Sequence, residues 1–234
     1  MLRFPRFYLA NSLNQITDTE QIKQILRVFR LNINDQIIGI YEGKEYLLKI
    51  IKLDKACLEL ETIKEIANNK ELPFNLRAFL PLLKGEKNDF ILQKLTEIGI
   101  CEFCFVQFEY SVKQISNLEH KVQRWQKIIL EAVEQSERTK VPSIQFCESL
   151  KQIKLNPLEG GFAFVERLEN KILDWDLFKN ANSKALIFGP EGGFSPSEKL
   201  QIQQKGFINI SLGQRILRAE TAIILGTGLC TINF

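Results

Sequence analysis

The sequence contains few of the side chains on which metal and histidine chemistry depend. It has a single histidine, His120, at the start of the predicted helix that leads to Trp125, so a histidine general base is not expected. Its five cysteines are scattered and odd in number, which is typical of reduced thiols rather than of a disulfide framework. Cys101 and Cys104 form a lone C-x-x-C in an apolar run without a second ligand pair, which favours strand packing over a zinc or redox site. We therefore expect no bound metal.

Long apolar runs and strong charge are also missing. No segment reaches the roughly 20 apolar residues of a membrane-spanning helix, and residues 1–6 lack the apolar region and cleavage site of a signal peptide. We therefore expect a cytoplasmic protein without a membrane partner. The net charge is only +3, and the pI of about 8.5 is below the value of about 9 expected of a dedicated nucleic-acid binder. Charge alone does not indicate RNA binding. The basic residues near the amino terminus either share one face or are scattered: Arg3, Arg6, Lys23, Arg27 and Arg30.

The pattern of apolar residues divides the chain near residues 70–75. Short β-like runs separated by turns between residues 36 and 60 predict a small antiparallel sheet or barrel, and Gln21–Phe29 predicts a short helix before it. A polar segment at 67–73 is a predicted linker. Beyond it, strand-like and helix-like segments alternate, which predicts an α/β fold with a mainly parallel sheet covered by helices. The alternating segments are Asn75–Leu83, Asp89–Ile98, Glu102–Gln107, Leu118–Ser136, Gly161–Val165 and Lys184–Phe188.

Leu186–Phe194 contains an apolar strand followed by a glycine-rich loop. The next residues, SPSE at 195–198, combine a capping residue, a proline at the first helical position and a glutamate at the third, which predicts a helix that begins at about Ser195. The loop is not a Rossmann fingerprint, because Pro190 and Glu191 break the spacing, and it is not a P-loop, because no G-K-[S/T] follows. Glu191 disfavours a bare phosphate, so a neutral, zwitterionic or cationic ligand fits better. A tight structural turn is the alternative.

A second strand, loop and helix follow. Leu212-Gly213 ends the predicted strand Phe207–Ile210, and Ile216-Leu217 lies between Arg215 and Arg218. Ala219–Cys230 is almost entirely small or apolar, which predicts a buried terminal helix. Ligands of open α/β sheets bind beyond the carboxyl ends of the strands. Two such loops therefore predict one composite pocket.

Several motifs, in order along the chain, resemble one family. GPEGGFSPSE at 189–198, LGQRILRAETA at 212–222, QKLTEIG at 93–99 and EAVEQSER at 131–138 resemble the ribosomal RNA small-subunit methyltransferase E family, of the SPOUT class of knotted S-adenosylmethionine-dependent methyltransferases. Arg3–Tyr8 and Ile25–Val28 are similar to its R-F-F and V-L-R signatures. Two positions depart from the pattern. Residues 20–24 replace one or two histidines, and Tyr110 replaces an arginine often found before Ser-Val.

The resemblance implies a domain organisation and a reaction. Residues 1–72 are expected to form a PUA-like β-barrel RNA-binding domain, and residues 73–234 a SPOUT methyltransferase domain with a trefoil knot at its carboxyl end. The implied reaction transfers a methyl group from S-adenosyl-L-methionine to N3 of a specific uridine in the decoding region of 16S ribosomal RNA, within the small ribosomal subunit. A homodimer is also implied, with Ala219–Cys230 as a candidate interface.

The resemblance also assigns site residues. The cofactor is expected against Phe188, Gly189, Glu191, Gly192, Gly193, Leu212, Gly213, Ile216 and Leu217. Because the uridine N3 proton must be lost, a base or a cation that stabilises the developing anion is needed. Arg218 is the candidate cation, and Glu220 and Glu191 are candidate catalytic carboxylates, with structural ion pairs or helix caps as the alternative. The expected RNA contacts are Arg3, Arg6, Arg27 and Arg138.

Two other functions stay open at this point. One is a related SPOUT methyltransferase with another RNA target, such as a transfer RNA ribose 2′-hydroxyl, although the motifs at 93–99 and 131–138 favour uridine N3. The other is a non-catalytic RNA-binding protein that acts in ribosome assembly. A test of S-adenosylmethionine binding distinguishes this second alternative from a methyltransferase, because only a methyltransferase needs the cofactor.

Overall fold

The computed structural model describes residues 4–112, 118–166, 181 and 183–231. The chain divides into two compact units, Met1–Glu71 with Val133–Lys140, and Leu72–Ala132 with Val141–Phe234. Among the described residues, no helix combines the length and the apolar character needed to cross a membrane.

The first unit is built on a five-stranded sheet. Its elements are β1 (Arg6–Tyr8), β2 (Gln15–Ile16), α1 (Thr19–Lys23) with a π-helical turn at Gln24–Val28, β3 (Gln36–Tyr41), β4 (Lys44–Leu53) and β5 (Leu58–Ile66). The strand order is β1-β3-β4-β5-β2. Only the β1–β3 pair is parallel, whereas β3, β4, β5 and β2 pair in antiparallel fashion. The small antiparallel sheet predicted between residues 36 and 60 is therefore confirmed.

Strand β5 is longer than its sequence pattern indicates. The predicted run ends at Leu60, but the strand continues to Ile66 although most of the added residues are exposed and polar. Backbone pairing of Thr62, Lys64 and Glu65 with β4 keeps this segment extended. Local apolar periodicity cannot detect a strand that is held by hydrogen bonds to a neighbour.

A partly buried carboxylate, Glu71, joins two segments of the first unit; 20% of its side chain is exposed. Glu71 accepts hydrogen bonds from Arg138 Nη2 at 2.8 Å and from the backbone N–H groups of Thr139 and Lys140 at 2.9 and 3.0 Å. Only 3% of the Arg138 side chain is exposed. Arg138, which the sequence analysis predicts to contact RNA, thus has its guanidinium buried against Glu71 in this structure.

The Glu71 carboxylate makes the stability of the protein depend on pH. Burial by itself raises the pKa of Glu71, but the hydrogen bond and charge of Arg138, with the N–H groups of Lys140 and Thr139, outweigh burial and lower that pKa below its ordinary value. The stabilisation is therefore present above the unfolded pKa of about 4.3 and is lost as the pH falls through the lower folded value. We expect Glu71→Gln to flatten the acid limb of the unfolding free energy, measured by urea titration from about pH 7 to pH 3. An acid limb as steep as in the parent protein would contradict this assignment.

The second unit contains a six-stranded sheet. Its described elements are β6 (Asn75–Pro81), α2 (Lys87–Ile98), β7 (Glu102–Val106), α3 (Glu119–Gln135), β8 (Ser143–Cys147), a 3₁₀ turn (Leu150–Gln152), β9 (Glu159–Phe164), β10 (Ser183–Phe188), α4 (Pro196–Gln204), β11 (Phe207–Ile210) and α5 (Ala219–Leu229). The strand order is β11-β9-β10-β6-β7-β8. Every pair is parallel. The predicted α/β fold with a mainly parallel sheet is confirmed.

The strand order indicates where a ligand-binding crevice lies. β6 and β10 are neighbours, but β6 leads to β7 on one side while β10 leads to β11 on the other. Connections that diverge in this way open a crevice at the carboxyl ends of the two strands. The central strands are nearly continuously apolar and buried, as parallel strands covered on both faces must be. Cys104 belongs to this interior, in line with the predicted strand packing, and burial raises the pKa of its thiol.

Candidate functional site

A cavity of about 830 Å³ lies at the carboxyl ends of four strands. Its walls come from the segments that follow β6, β9, β10 and β11, so residues distant in the sequence share one site. The volume is within the range of about 300–1,000 Å³ that is usual for small-molecule sites. The two glycine loops therefore form one composite pocket, as predicted.

The first loop is a compact turn after β10. The N–H of Gly193 donates to the carbonyl of Pro190 at 2.8 Å. Gly193 has a φ of +72°, and Gly213 in the second loop has a φ of +107°. Both values lie in the left-handed region, where only glycine is free of strain. The loop backbones at these two positions thus depend on glycine.

Helix α4 begins with the predicted capping box. Ser195 Oγ accepts from the N–H of Glu198 at 3.2 Å, and Glu198 Oε2 accepts from the N–H of Ser195 at 2.8 Å. The second carboxylate oxygen of Glu198 accepts from the N–H of Glu109 at 2.7 Å. The cap therefore also fixes the segment after β7 beside the first loop.

Tyr110 belongs to that segment and lies directly on Gly192. A Cβ atom placed on Gly192 would be 2.9 Å from Tyr110 Cβ, closer than side chains can pack. The Tyr110 side chain is itself 46% exposed. Gly192 is thus needed for a close approach of another segment, and not for an unusual backbone angle.

The second loop supplies an apolar wall. Ile216 is 61% exposed, while Leu212 and Leu217 are half-buried. Behind the loop, α5 packs on the stacked rings of Phe164 and Phe188, whose centroids are 4.6 Å apart. The Phe188 ring is thus part of the interior, so a ligand of this cavity would meet Phe188 mainly at its backbone.

Charged residues lie around the amino-terminal end of α5. Lys87 Nζ lies 3.1 Å from Glu220 Oε2 and 3.7 Å from Glu191 Oε1. The Oε2 atom of Glu220 is buried and receives no aligned hydrogen bond from the described residues. Burial raises the pKa of Glu220, but its own backbone N–H, Lys87 and Arg218 outweigh this effect and lower the pKa. Glu220 is therefore a carboxylate at neutral pH.

Most of the predicted site residues come together. The nine predicted cofactor contacts all line the cavity, as does Arg218. Glu220 is not among the lining residues and pairs with Lys87 at the start of α5. The sequence analysis did not indicate the remaining lining residues, which include Lys87, Phe164, Val165, Glu166, Lys199, Asn209 and Ser211. Several of them follow other strands of the sheet. Their positions depend on the strand order, so no local motif identifies them.

The predicted RNA-binding arginines are in different surroundings. Arg27 is exposed, but Arg6 forms ion pairs with Glu45 and Glu137 and only 16% of its side chain is exposed. Arg138 is buried, as described above. Arg3 lies outside the described residues.

The parallel sheet and the two-loop cavity agree with a match between residues 70–230 and the family model described as an RNA methyltransferase domain. The chain is thus an RNA methyltransferase. It is 34% identical over 196 residues to the ribosomal RNA small subunit methyltransferase E of Mesomycoplasma hyopneumoniae, with 82% of this chain and 83% of that protein covered. The enzyme of the same name from Bacillus subtilis is 32% identical, with 87% and 84% covered. The chain belongs to the ribosomal RNA small subunit methyltransferase E family.

A solved structure extends the similarity to the whole architecture. The crystal structure of the ribosomal RNA small subunit methyltransferase E from Neisseria gonorrhoeae bound to S-adenosyl methionine superimposes with a TM-score of 0.86 at 27% identity. The alignment covers 97% of this chain and 96% of that chain. Both compact units thus have counterparts in that enzyme.

Proposed function

We propose that this enzyme transfers a methyl group from S-adenosyl-L-methionine to N3 of a uridine in the decoding region of 16S ribosomal RNA. The observation that carries the proposal is the single cavity formed by both glycine loops, in a chain similar over nearly its full length to an enzyme crystallised with S-adenosyl methionine. The small ribosomal subunit in the cytoplasm is the proposed setting of the reaction.

The cavity residues fit S-adenosylmethionine. The backbones of Gly189–Gly193 and of Leu212-Gly213 line the cavity and give it a polar edge, and Ile216 and Leu217 offer apolar surface. The Gly193 N–H and the Gly213 N–H are already bonded within their own loops, so the other backbone groups of the loops are proposed to bind the ligand. Glu191 at the rim suits a ligand with positive charge. When bound, the cofactor supplies a methyl group already activated by a sulfonium. The residues proposed to hold it are Phe188, Gly189, Glu191, Gly192, Gly193, Leu212, Gly213, Ile216 and Leu217.

The protein residues are proposed to align the uracil with the methyl group and to stabilise the charge that develops on the uracil. Loss of the N3 proton leaves negative charge on the uracil, and we assign Arg218 to stabilise it because Arg218 lines the cavity at the start of α5. Its charge also acts on Glu220, whose pKa it helps to lower. Glu191 and Glu220 are the candidate carboxylates. A base works best with a pKa near the working pH, so the lowered pKa of Glu220 suits a role in holding cations better than acceptance of the proton.

The amino-terminal region is proposed to bind the RNA. The five-stranded sheet is the basis for proposing a PUA-like domain over residues 1–72, followed by a SPOUT domain over 73–234 with a knotted carboxyl end. Arg27 is the exposed candidate contact among the described residues. Reaching N3 in folded RNA requires an unpaired or flipped base.

A homodimer is part of the proposal. The proposed interface is the helix region Ala219–Cys230, on which Leu225 is 42% exposed, and Phe90 on α2, which contacts α5, is 49% exposed. Light scattering at micromolar concentration tests this, and a monomeric mass would contradict it.

The reaction is tested with labelled S-adenosylmethionine and small ribosomal subunits from cells that lack this enzyme. We expect 3-methyluridine in a nucleoside digest of the product RNA. A different modified nucleoside, or labelling of transfer RNA instead, would overturn the assignment of the target. Failure to bind S-adenosylmethionine would overturn the cofactor assignment and favour a non-catalytic role in ribosome assembly.

Gly192→Ala is expected to weaken S-adenosylmethionine binding about tenfold. The added methyl group would meet Tyr110 Cβ at 2.9 Å, so the loop or the Tyr110 segment must move. Isothermal titration calorimetry measures the change. Tyr110→Gly removes the opposing Cβ and should restore part of the affinity in the double variant, whereas equal affinities of Gly192→Ala and the parent protein would contradict the steric argument.

A further inference from the structure

Lys87 is the first residue of α2 and follows β6, a strand that belongs to neither glycine loop. Its ammonium contacts Glu191 of the first loop and Glu220, which lies in the first turn after the second loop. We infer that Lys87 is a positioning residue that holds the two cofactor loops in register through these two carboxylates. The inference rests on the proposed S-adenosylmethionine site.

The location of Lys87 is unfavourable for a cation considered by itself. Unpaired N–H groups give the start of a helix a partial positive charge, which disfavours lysine there by roughly 0.3–1 kcal/mol. Only 36% of the Lys87 side chain is exposed, so solvent does not fully surround it. The carboxylates of Glu191 and Glu220 offset both the helix-start charge and the partial burial of Lys87. Glu191 belongs to the first glycine loop, and Glu220 follows the second.

A shared cation can couple the loops although each contact is modest. A single exposed ion pair contributes about 0–1 kcal/mol, in part because two long side chains must be ordered. Here one ordered lysine serves two carboxylates, whose side chains are only 28% and 19% exposed. If either loop moves away from α2, its carboxylate loses Lys87, and Lys87 is then held only by the carboxylate of the other loop. The position of one loop therefore affects the contact made by the other.

This role differs from a simple charge effect on the ligand. S-adenosylmethionine carries a sulfonium, and S-adenosylhomocysteine lacks that charge. If Lys87 acted only by its field, its removal would strengthen binding of S-adenosylmethionine relative to S-adenosylhomocysteine, since two carboxylates would remain. If Lys87 positions the loops, both ligands lose affinity by the same factor.

The experiment measures the Kd of both ligands by calorimetry for the full chain and its Lys87→Met variant. We expect both Kd values to rise about tenfold with an unchanged ratio. Lys87→Arg keeps the charge and should remain within about threefold of the parent protein. Lys94→Met is the matched control, because Lys94 lies on the same helix and its described contacts, with Glu97 and with the Phe90 ring, are within that helix.

A coupling measurement separates positioning from general destabilisation. Glu191→Gln and Glu220→Gln should be non-additive in the Kd of S-adenosylhomocysteine while Lys87 is present and additive in the Lys87→Met background. If Lys87→Met does not fold, the same non-additivity between the two glutamines in the parent background tests the inference. Additive effects there would overturn it.

The outcomes also distinguish the inference from the proposed function. A parent protein that binds both ligands, with a Lys87→Met variant of equal affinity, would overturn the inference and leave the cofactor assignment intact. Tighter binding of S-adenosylmethionine alone by Lys87→Met would also overturn it, in favour of a field effect. A parent protein that binds neither ligand would overturn the proposed function and the inference together.

Discussion

Arg218→Ala is expected to lower the single-turnover rate of methyl transfer about a hundredfold and to leave the Kd of S-adenosylmethionine within about threefold. Arg218 lines the cavity at the start of α5. Its charge is therefore available to the uracil as negative charge develops. Quenched single-turnover reactions with small ribosomal subunits give the rate, and calorimetry gives the Kd.

Two variants separate this role from a general loss of positive charge. Arg218→Lys keeps the charge but not the planar guanidinium, and should lie between the parent protein and Arg218→Ala. Lys151→Ala removes the charge of an exposed lysine that is not among the residues lining the cavity, and should cost no more than about fivefold. Full turnover by Arg218→Ala with normal cofactor binding would show that the assigned role is wrong.

Arg138→Met is expected to lower the free energy of unfolding by about 3 kcal/mol, because it leaves the Glu71 carboxylate, only 20% of whose side chain is exposed, without its cation. Arg138 is 2% exposed, so water cannot readily replace its contacts with Glu71. Urea unfolding at neutral pH, followed by circular dichroism, measures the change. A loss this large from an arginine expected to contact RNA would identify its role as structural.

A control is available on helix α3. Arg124 pairs with Asp89, but its side chain is 62% exposed, so Arg124→Met should cost less than about 1 kcal/mol. The double variant Glu71→Gln/Arg138→Met should be more stable than Arg138→Met alone, because no buried charge remains unpaired. Equal losses for the Arg124 and Arg138 variants would contradict the importance of burial.

The sequence was most informative where a local rule determines the structure. The capping box at Ser195 and Glu198 depends on residues three positions apart, and the helix begins where the motif predicts. The alternation of strands and helices beyond residue 75 likewise predicted the parallel sheet. The capping box is predictable because its interactions are formed within one element. The alternation predicts parallel strands because each strand is followed by a helix that returns the chain to the same end of the sheet, but it does not give the order of the strands.

The sequence was least informative where charges meet across elements. EAVEQSER at 131–138 marks a helix end, but nothing local shows that Arg138 is paired with Glu71 rather than exposed. Lys87 is a similar case. It became a candidate only when its contacts with Glu191 and Glu220 were visible.

The sequence by itself determined the class of fold, the two glycine loops, the start of α4 and the resemblance to one methyltransferase family. It could do so because glycine, proline and capping residues act on their immediate neighbours, and because apolar periodicity reports which face is buried. Only the tertiary structure decided that β10 lies beside β6. That adjacency, together with the positions of β7 and β11 in the same sheet, brings Lys87 to both loops and Tyr110 onto Gly192. The strand order is set by packing of the whole sheet, which no short segment encodes.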